Sequence, residues 1–472
     1  KNLVAGVDSS TQSVKVVIRD AESGELIREA RGSHPDKTEI DPQIWWNELT
    51  KTSQGLFEDV KAISIGAQQH GMVVIDENKN VVRDSLLWND TRSAQDATDL
   101  IKEFGGAKNW ADAVGSVPVA SFTVTKLRWL AKNEPNNAKK VCGVMLPHDF
   151  LSWNLMGKPD TYKTDRGDAS GTGYWSPITN EYRKDLLKLA FGKEIQVPEV
   201  VKPNEIIGTT ESGIPIGPGS GDNMAAALGL GAKTGDIVIS LGTSGTAYTV
   251  LAKPTNDETG IVAGFADATG NYLPLACTLN AARVINAGAA TLNVSLDEFS
   301  KLALSAKPGS EGLVLLPFLD GERTPNLPNA TGSLHGLTRN NLTPANFARA
   351  CIEGMLCSLA EASDVLTNFD NNSKPNRVVL IGGAAASLAV QEIATTLFKV
   401  PVHIPAASEY VADGAARQAA WAISGANEPP TWESKGNIVR ESNFKDSVRI
   451  AYKNAFESLY KRSEEHTSEL QS

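Results

Sequence analysis

Apolar residues along this chain gather into short, near-continuous runs bounded by small polar residues, and these alternate with longer stretches in which apolar positions recur at helical spacing. The short runs read as buried strands. Leu3-Val4-Ala5-Gly6-Val7 and Ser13-Val14-Lys15-Val16-Val17-Ile18 flank the turn Asp8-Ser9-Ser10-Thr11. Ile237-Val238-Ile239-Ser240-Leu241 and Ala247-Tyr248-Thr249-Val250-Leu251 flank Gly242-Thr243-Ser244-Gly245-Thr246 in the same way. Ala62–Ile65 and Val378–Ile381 are further strands, and helices are predicted over Ala345 to Leu366 and Ser387 to Phe398. The alternation predicts α/β layers. Two hairpins with Gly/Ser/Thr turns, one in each half, suggest a duplicated domain that grips one anion from two sides, because backbone N–H groups and hydroxyls suit phosphate.

The Gly/Pro-rich stretch Gly213–Gly221 reads as a linker, and a domain boundary is expected just beyond it. The expected spans are 1–228, 229–426, a helical extension 427–462 and a disordered polar tail 463–472. A length of 472 residues accommodates two or three domains at roughly 150 residues each, with room for a cleft between them. A net charge of -10 opposes a broad nucleic-acid or anionic-membrane surface. No apolar run reaches the ~18 residues of a membrane span. The four cysteines include no C-x-x-C pair, and the chain opens on a strand with no basic, apolar leader before it, so a cytoplasmic protein is expected.

Common nucleotide signatures are missing. Neither Gly157-Lys158 nor Gly192-Lys193 is followed by Ser or Thr, Gly229-Leu230-Gly231 does not follow a strand, and H-E-x-x-H and G-x-S-x-G do not occur. The chemistry therefore rests on other segments. Asp8 after a buried strand, followed by Ser10 and Thr11, suits a hydrated metal and phosphate oxygens, although Asp and Ser also favour plain turns. Gly382-Gly383-Ala384 between a strand and a helix capped by Ser387 would let a flat ring approach the backbone, and is equally consistent with a tight strand-to-helix turn that holds no ligand. Asp222 sits at the apparent N-cap of an Ala-rich helix, with Asn223 after it. Gln68-Gln69-His70-Gly71 crowds amides and an imidazole at a strand end, where hydroxyl groups need both donors and acceptors; a lone turn histidine is otherwise expected at the surface. In Trp88-Asn89-Asp90-Thr91-Arg92, Asp90 reads as a helix cap and Trp88 as core packing, against a sugar-binding alternative.

Taken in order, these segments resemble the FGGY family of carbohydrate kinases over about Leu3 to Ala426, nearly the whole folded chain. The resemblance implies two actin-like ATPase-fold (ribonuclease H-like) domains with a cleft between them, the first sugar-binding and the second nucleotide-binding. It implies that Asp8, with Ser10 and Thr11, forms the first phosphate motif and organises Mg2+, with Ser10 where the family usually has Gly. It assigns Gly242, Thr243 and Ser244 to the second phosphate motif and Gly382, Gly383 and Ala384 to adenosine. Asp222 becomes the catalytic base, while Gln69, His70 and Asn223 bind the sugar. Thr164–Ser170 and Gly321-Glu322-Arg323-Thr324-Pro325 also match family segments, without an assigned role. The implied reaction is ATP-dependent phosphorylation of a ketopentose, D-xylulose foremost, with a sibling kinase for another ketose, polyol or sugar acid as the alternative and a non-catalytic actin-like sugar-responsive protein behind both. The implied partners are ATP and a small neutral sugar, with no nucleic acid and no membrane; a homodimer stays open. Asp222 is expected to be ionised at neutral pH, with the ordinary carboxyl pKa of ~3.9.

Overall fold

The computed structural model describes residues 1–471, with side chains through residue 461. The tail read from Ser463 lies outside the residues whose side chains are described. The chain divides into two compact units, one of residues 1–232, 251–274 and 407–433, the other of 233–250, 275–406 and 434–472.

In the first unit, Leu3–Ser9 is buried along its whole length, which is why its sequence is an unbroken apolar run rather than an alternating one. It pairs antiparallel with Ser13–Asp20 and parallel with Val60–Ala67. Successive side chains of a strand point to opposite faces. Leu3, Ala5 and Val7 pack into a cluster with Trp45, Leu49, Phe150 and Trp153, while Val4 packs against Ala412, Ala416 and Ala419 of the helix Tyr410–Ser424. Gly6 lies on that helix-facing side: a Cβ there would sit 2.0 Å from the Ala412 carbonyl oxygen, so the helix rests directly on the strand backbone. The sheet runs Gly208–Thr209, Pro215–Ile216, Val60–Ala67, Leu3–Ser9, Ser13–Asp20, Leu26–Ser33. The stretch read as a linker, Gly213–Gly221, is sheet instead: Ile216 pairs with Ile63, and Ser220–Gly221 pairs with Gly66–Ala67. Its glycines and prolines serve two very short strands joined by tight turns.

The second unit repeats the plan. Asp236–Leu241 pairs antiparallel with Gly245–Thr249, which pairs antiparallel with Tyr272–Thr278, while Arg377–Ile381 adds in parallel on the other side of Asp236–Leu241. Val402–Ile404 and Ile438–Arg440 continue the sheet outward. In both units the first hairpin strand lies between its antiparallel partner and a later parallel strand, Leu3–Ser9 between Ser13–Asp20 and Val60–Ala67 and Asp236–Leu241 between Gly245–Thr249 and Arg377–Ile381, which is the duplication the two hairpins suggested. The long helix Pro344–Thr367 is started by Thr343, whose side chain accepts from the Asn346 N–H, and by Pro344 at a position where its missing N–H costs nothing. Among the described residues, no helix is long and apolar enough to cross a membrane.

Candidate active site

Three parallel strand ends of the first unit lie side by side: Leu3–Ser9, Val60–Ala67 and Ser220–Gly221. Ligands of α/β proteins gather at such ends. Asp8 occupies the penultimate position of the first strand, opposite Lys15 on one side and Gly66 on the other, rather than a turn. It is buried, and its Oδ1 has no hydrogen-bond partner. Burial pushes its carboxyl up to about 7; Lys15 pulls it down, Glu409 pushes it further up, and Arg31 opposes.

Asp222 is the first residue of the helix Asp222–Gly229, preceded by Gly221 in an extended conformation, so it is not the cap the sequence suggested. Its Oδ1 accepts from the Asn223 N–H at 2.8 Å. Burial raises its carboxyl to about 7 and the Asp8 charge adds to this, against the hydrogen bonds of the local backbone. The ordinary value expected from the sequence is therefore corrected: nothing in the sequence reports how deeply the helix start is set into protein.

Both carboxyls titrate higher folded than unfolded, so each favours folding in its protonated form. That contribution is complete below the unfolded value of ~3.9 and is lost as pH rises through about 7. The ligand-free wild type should accordingly lose more melting temperature between pH 5 and pH 8 than Asp222→Asn, whose residue 222 no longer titrates. Parallel pH–melting curves would contradict the shift.

Gln69, His70 and Asn223 come together as expected. The Asn223 Nδ2 donates to Gln69 Oε1 at 2.7 Å, and the Gln69 Nε2 is buried without a partner. His70, expected at the surface, is buried, with a left-handed φ of 72°. Its ring stacks on Phe122 with centroids 5.0 Å apart. The His70 Nδ1 lies 2.7 Å from the Gly171 carbonyl oxygen; a carbonyl only accepts, so Nδ1 carries a proton. The Thr123 hydroxyl donates to the His70 carbonyl at 2.8 Å.

Beside Asp8, the Ser10 hydroxyl donates to the Ser13 carbonyl at 2.9 Å, closing the hairpin. Thr11 donates to Gln68 Oε1 at 3.4 Å and accepts from the Trp88 indole at 3.0 Å. Trp88 is 47% exposed, which overturns its reading as core. Asp90 is not a helix cap either: the next helix is Ala94–Glu103, and Asp90 instead accepts from Arg92 and Thr38.

Two supports of this site carried no sequence signal. His148 is fully buried, its Nε2 3.1 Å from both Asp165 Oδ1 and Asp168 Oδ2. Burial pushes the imidazole pKa down, but Asp149, Asp165 and Asp168 outweigh it and hold the ring charged. That ring lies against Gly219, where a Cβ would come within 2.3 Å of His148 Nδ1. From the other side Gln418 clamps the same glycine, accepting from its N–H at 2.9 Å and donating to its carbonyl at 2.8 Å. The segment Gly219–Gly221, and with it Asp222, is fixed from both sides.

In the second unit, Thr243 and Ser244 are exposed at the hairpin turn. The helix Ala282–Leu292 docks on that turn, Ala282 N–H donating to the Gly242 carbonyl at 2.9 Å. Gly382 has a φ of 93°, and a Cβ there would lie 2.6–2.7 Å from the Leu241 backbone, so only glycine fits; Gly383 has open space around it. Ser387 caps the helix Leu388–Thr395 as expected. Glu322, in a segment left without a role, is buried and accepts from the Leu279 N–H at 2.6 Å, the Asn280 amide and the Arg323 N–H, anchoring one loop to the other.

The FGGY family of carbohydrate kinases, N-terminal domain, matches residues 3–229, and its C-terminal domain matches residues 237–423. The chain belongs to this family. It is 45% identical to the xylulose kinase of Streptomyces coelicolor, covering 90% of this chain and 88% of that one. It is 42% identical to the xylulose kinase of Streptomyces rubiginosus, covering 95% and 94%. The solved structure of xylulose kinase from Bifidobacterium adolescentis superposes with a TM-score of 0.91 at 44% identity, covering 96% of this chain and 99% of that one. The first unit carries the unpartnered Gln69 Nε2 donor and the buried Asp8 carboxyl; the second carries an exposed hydroxyl turn and a glycine turn.

Proposed function

We propose that this FGGY kinase transfers the terminal phosphoryl group of ATP to D-xylulose, giving D-xylulose 5-phosphate and ADP. The observation that carries the reading is the buried Gln69 Nε2 without a partner, set beside His70 and joined through Gln69 Oε1 to Asn223, which neighbours Asp222. A desolvated donor left unpaired costs on the order of 1–3 kcal/mol, and a sugar hydroxyl removes that cost. The Gln69 and Asn223 amides are neutral, and Gln68–His70 offers no Arg or Lys to pair with the carboxylate of a sugar acid. The names of the relatives at 42–45% identity point to the same sugar.

Asp222 takes the proton as the sugar oxygen bonds to phosphorus and the bond from phosphorus to the bridging oxygen of ADP breaks. With a pKa of about 7, it is matched to that task at neutral pH. The orphaned Asp8 Oδ1 fits a divalent cation, and we assign Mg2+ to it: once bound with ATP, the ion offsets the charge on the phosphate oxygens. The Thr243 and Ser244 turn holds phosphate groups, and Gly382 and Gly383 let adenosine approach the backbone. The test compares kcat/KM for D-xylulose, L-ribulose, L-fuculose, glycerol and gluconate at saturating MgATP. D-xylulose should exceed glycerol and gluconate by tenfold or more, about 1.4 kcal/mol in transition-state binding. A win for either would overturn the sugar assignment.

A further inference from the structure

We infer that Arg283 binds the phosphate groups of the nucleotide, supplying a positive charge at the Gly242–Ser244 turn; this rests on the nucleotide reading of that turn. Arg283 is the second residue of the helix Ala282–Leu292. The start of that helix is locked to the turn by Ala281 N–H donating to the Thr243 carbonyl at 3.3 Å and Ala282 N–H to the Gly242 carbonyl at 2.9 Å. The guanidinium folds back over the same residues. Its Nε donates to the Thr243 carbonyl at 3.3 Å and its Nη2 to the Ser244 hydroxyl at 3.2 Å, while Nη1 lies 3.1 Å from Asp320 Oδ2.

A guanidinium carries five N–H donors in a planar fork. Three are engaged in these contacts. The remaining two belong to a side chain 32% exposed, beside two exposed hydroxyl residues. Guanidinium forks match phosphate oxygens in pairs, and such charge-assisted bonds are roughly twice as strong as neutral ones. Asp320 is a weak competitor for this charge. Its carboxylate is 52% exposed, and exposed ion pairs hold little. The loop that carries Asp320 is held through its backbone: the Asp320 N–H donates to Asn280 Oδ1 at 3.3 Å, and the Asn280 amide is bound to the Gly321 carbonyl and Glu322. The buried Glu322 thus fixes the loop beside Arg283, while the guanidinium is kept over the turn by its own bonds to Thr243 and Ser244. The sequence conceals this because Arg283 follows strand, turn and helix start, and only the fold returns it to Ser244.

The test is calorimetric titration of wild type, Arg283→Gln, Arg283→Lys and Asp320→Asn with ADP in magnesium buffer and, separately, with adenosine. In Arg283→Gln, ADP affinity should fall tenfold or more, about 1.4 kcal/mol, while adenosine affinity stays within about twofold. Arg283→Lys should recover part of the loss, and Asp320→Asn should keep ADP affinity. Equal losses for ADP and adenosine would reduce Arg283 to a structural residue and overturn the inference. So would unchanged ADP affinity in Arg283→Gln, or a loss in Asp320→Asn as large as in Arg283→Gln. Wild type that fails to bind ADP overturns the nucleotide reading and this inference together. The titrations use no sugar, so an error in the D-xylulose assignment does not move them.

Discussion

Asp222→Asn should lower kcat by roughly 10² to 10⁴-fold, the usual contribution of a general base, while KM for the sugar changes little. The amide keeps the size and shape of the side chain and can still accept from the Asn223 N–H, now at 2.8 Å from Oδ1. It cannot take a proton. Gln69 and His70 keep their own partners, Asn223 Nδ2 and the Gly171 carbonyl, so sugar binding survives. The pH dependence gives a second check. The base works only when deprotonated, so wild-type kcat should rise with pH along an acid limb set by a pKa near 7. The Asp8 charge contributes to that elevation, so a cation on Asp8 should draw the limb to lower pH as magnesium is raised. Asp222→Asn should show no such limb. A folded variant with near-normal turnover would make Asp222 only the opening residue of its helix.

What the sequence discloses follows the range of the forces involved. Leu3–Ser9 and Asp236–Leu241 are legible because a strand covered on both faces must be apolar along its length, and their partners follow after turns of three residues each. Asp8, Gln69, His70, Asp222 and Asn223 are legible as residue types at strand ends. Their states are not. The depth of Asp222 and the burial of His70 depend on segments far away in the chain, Gly171 and Phe122 among them. Aromatic size argues for core at Trp88, whereas its indole reaches out to Thr11. The composition of Gly213–Gly221 suits a linker and two short strands with tight turns alike, and only strand pairing separates them. His148 and Gln418 could not be singled out, since an isolated buried polar residue acquires meaning only from the Gly219 backbone it touches.

Gly414→Ala tests the packing that carries Asp222. The helix Asp222–Gly229 lies against Tyr410–Ser424, and the two meet backbone to backbone at glycines. A Cβ on Gly414 would sit 1.7 Å from the Ala225 carbonyl oxygen and 3.0 Å from the Gly229 N; one on Gly229 would sit 2.1 Å from the Tyr410 carbonyl oxygen. These neighbours are main chain and cannot rotate away. Two effects oppose each other in the substitution. Alanine inside a helix is favoured over glycine by about 1 kcal/mol. Against this, the helices must separate by more than an ångström before the contact clears the 3.0 Å below which real Cβ atoms essentially never approach. Such separation strips van der Waals contact from a close-packed interface, and overpacking typically costs about 1–3 kcal/mol, more where backbone must move. The clash should win. Gly414→Ala is expected to lose at least about 3 kcal/mol in urea unfolding, and kcat should fall as well, because the helix that tilts begins at Asp222. Gly270, with no atom within 4 Å of its Cβ position and no left-handed φ, is the control, and Gly270→Ala should stay within about 0.5 kcal/mol of wild type. A Gly414→Ala protein as stable as wild type, or more so, would mean that helix propensity outweighs the contact and that the two helices are not packed backbone to backbone.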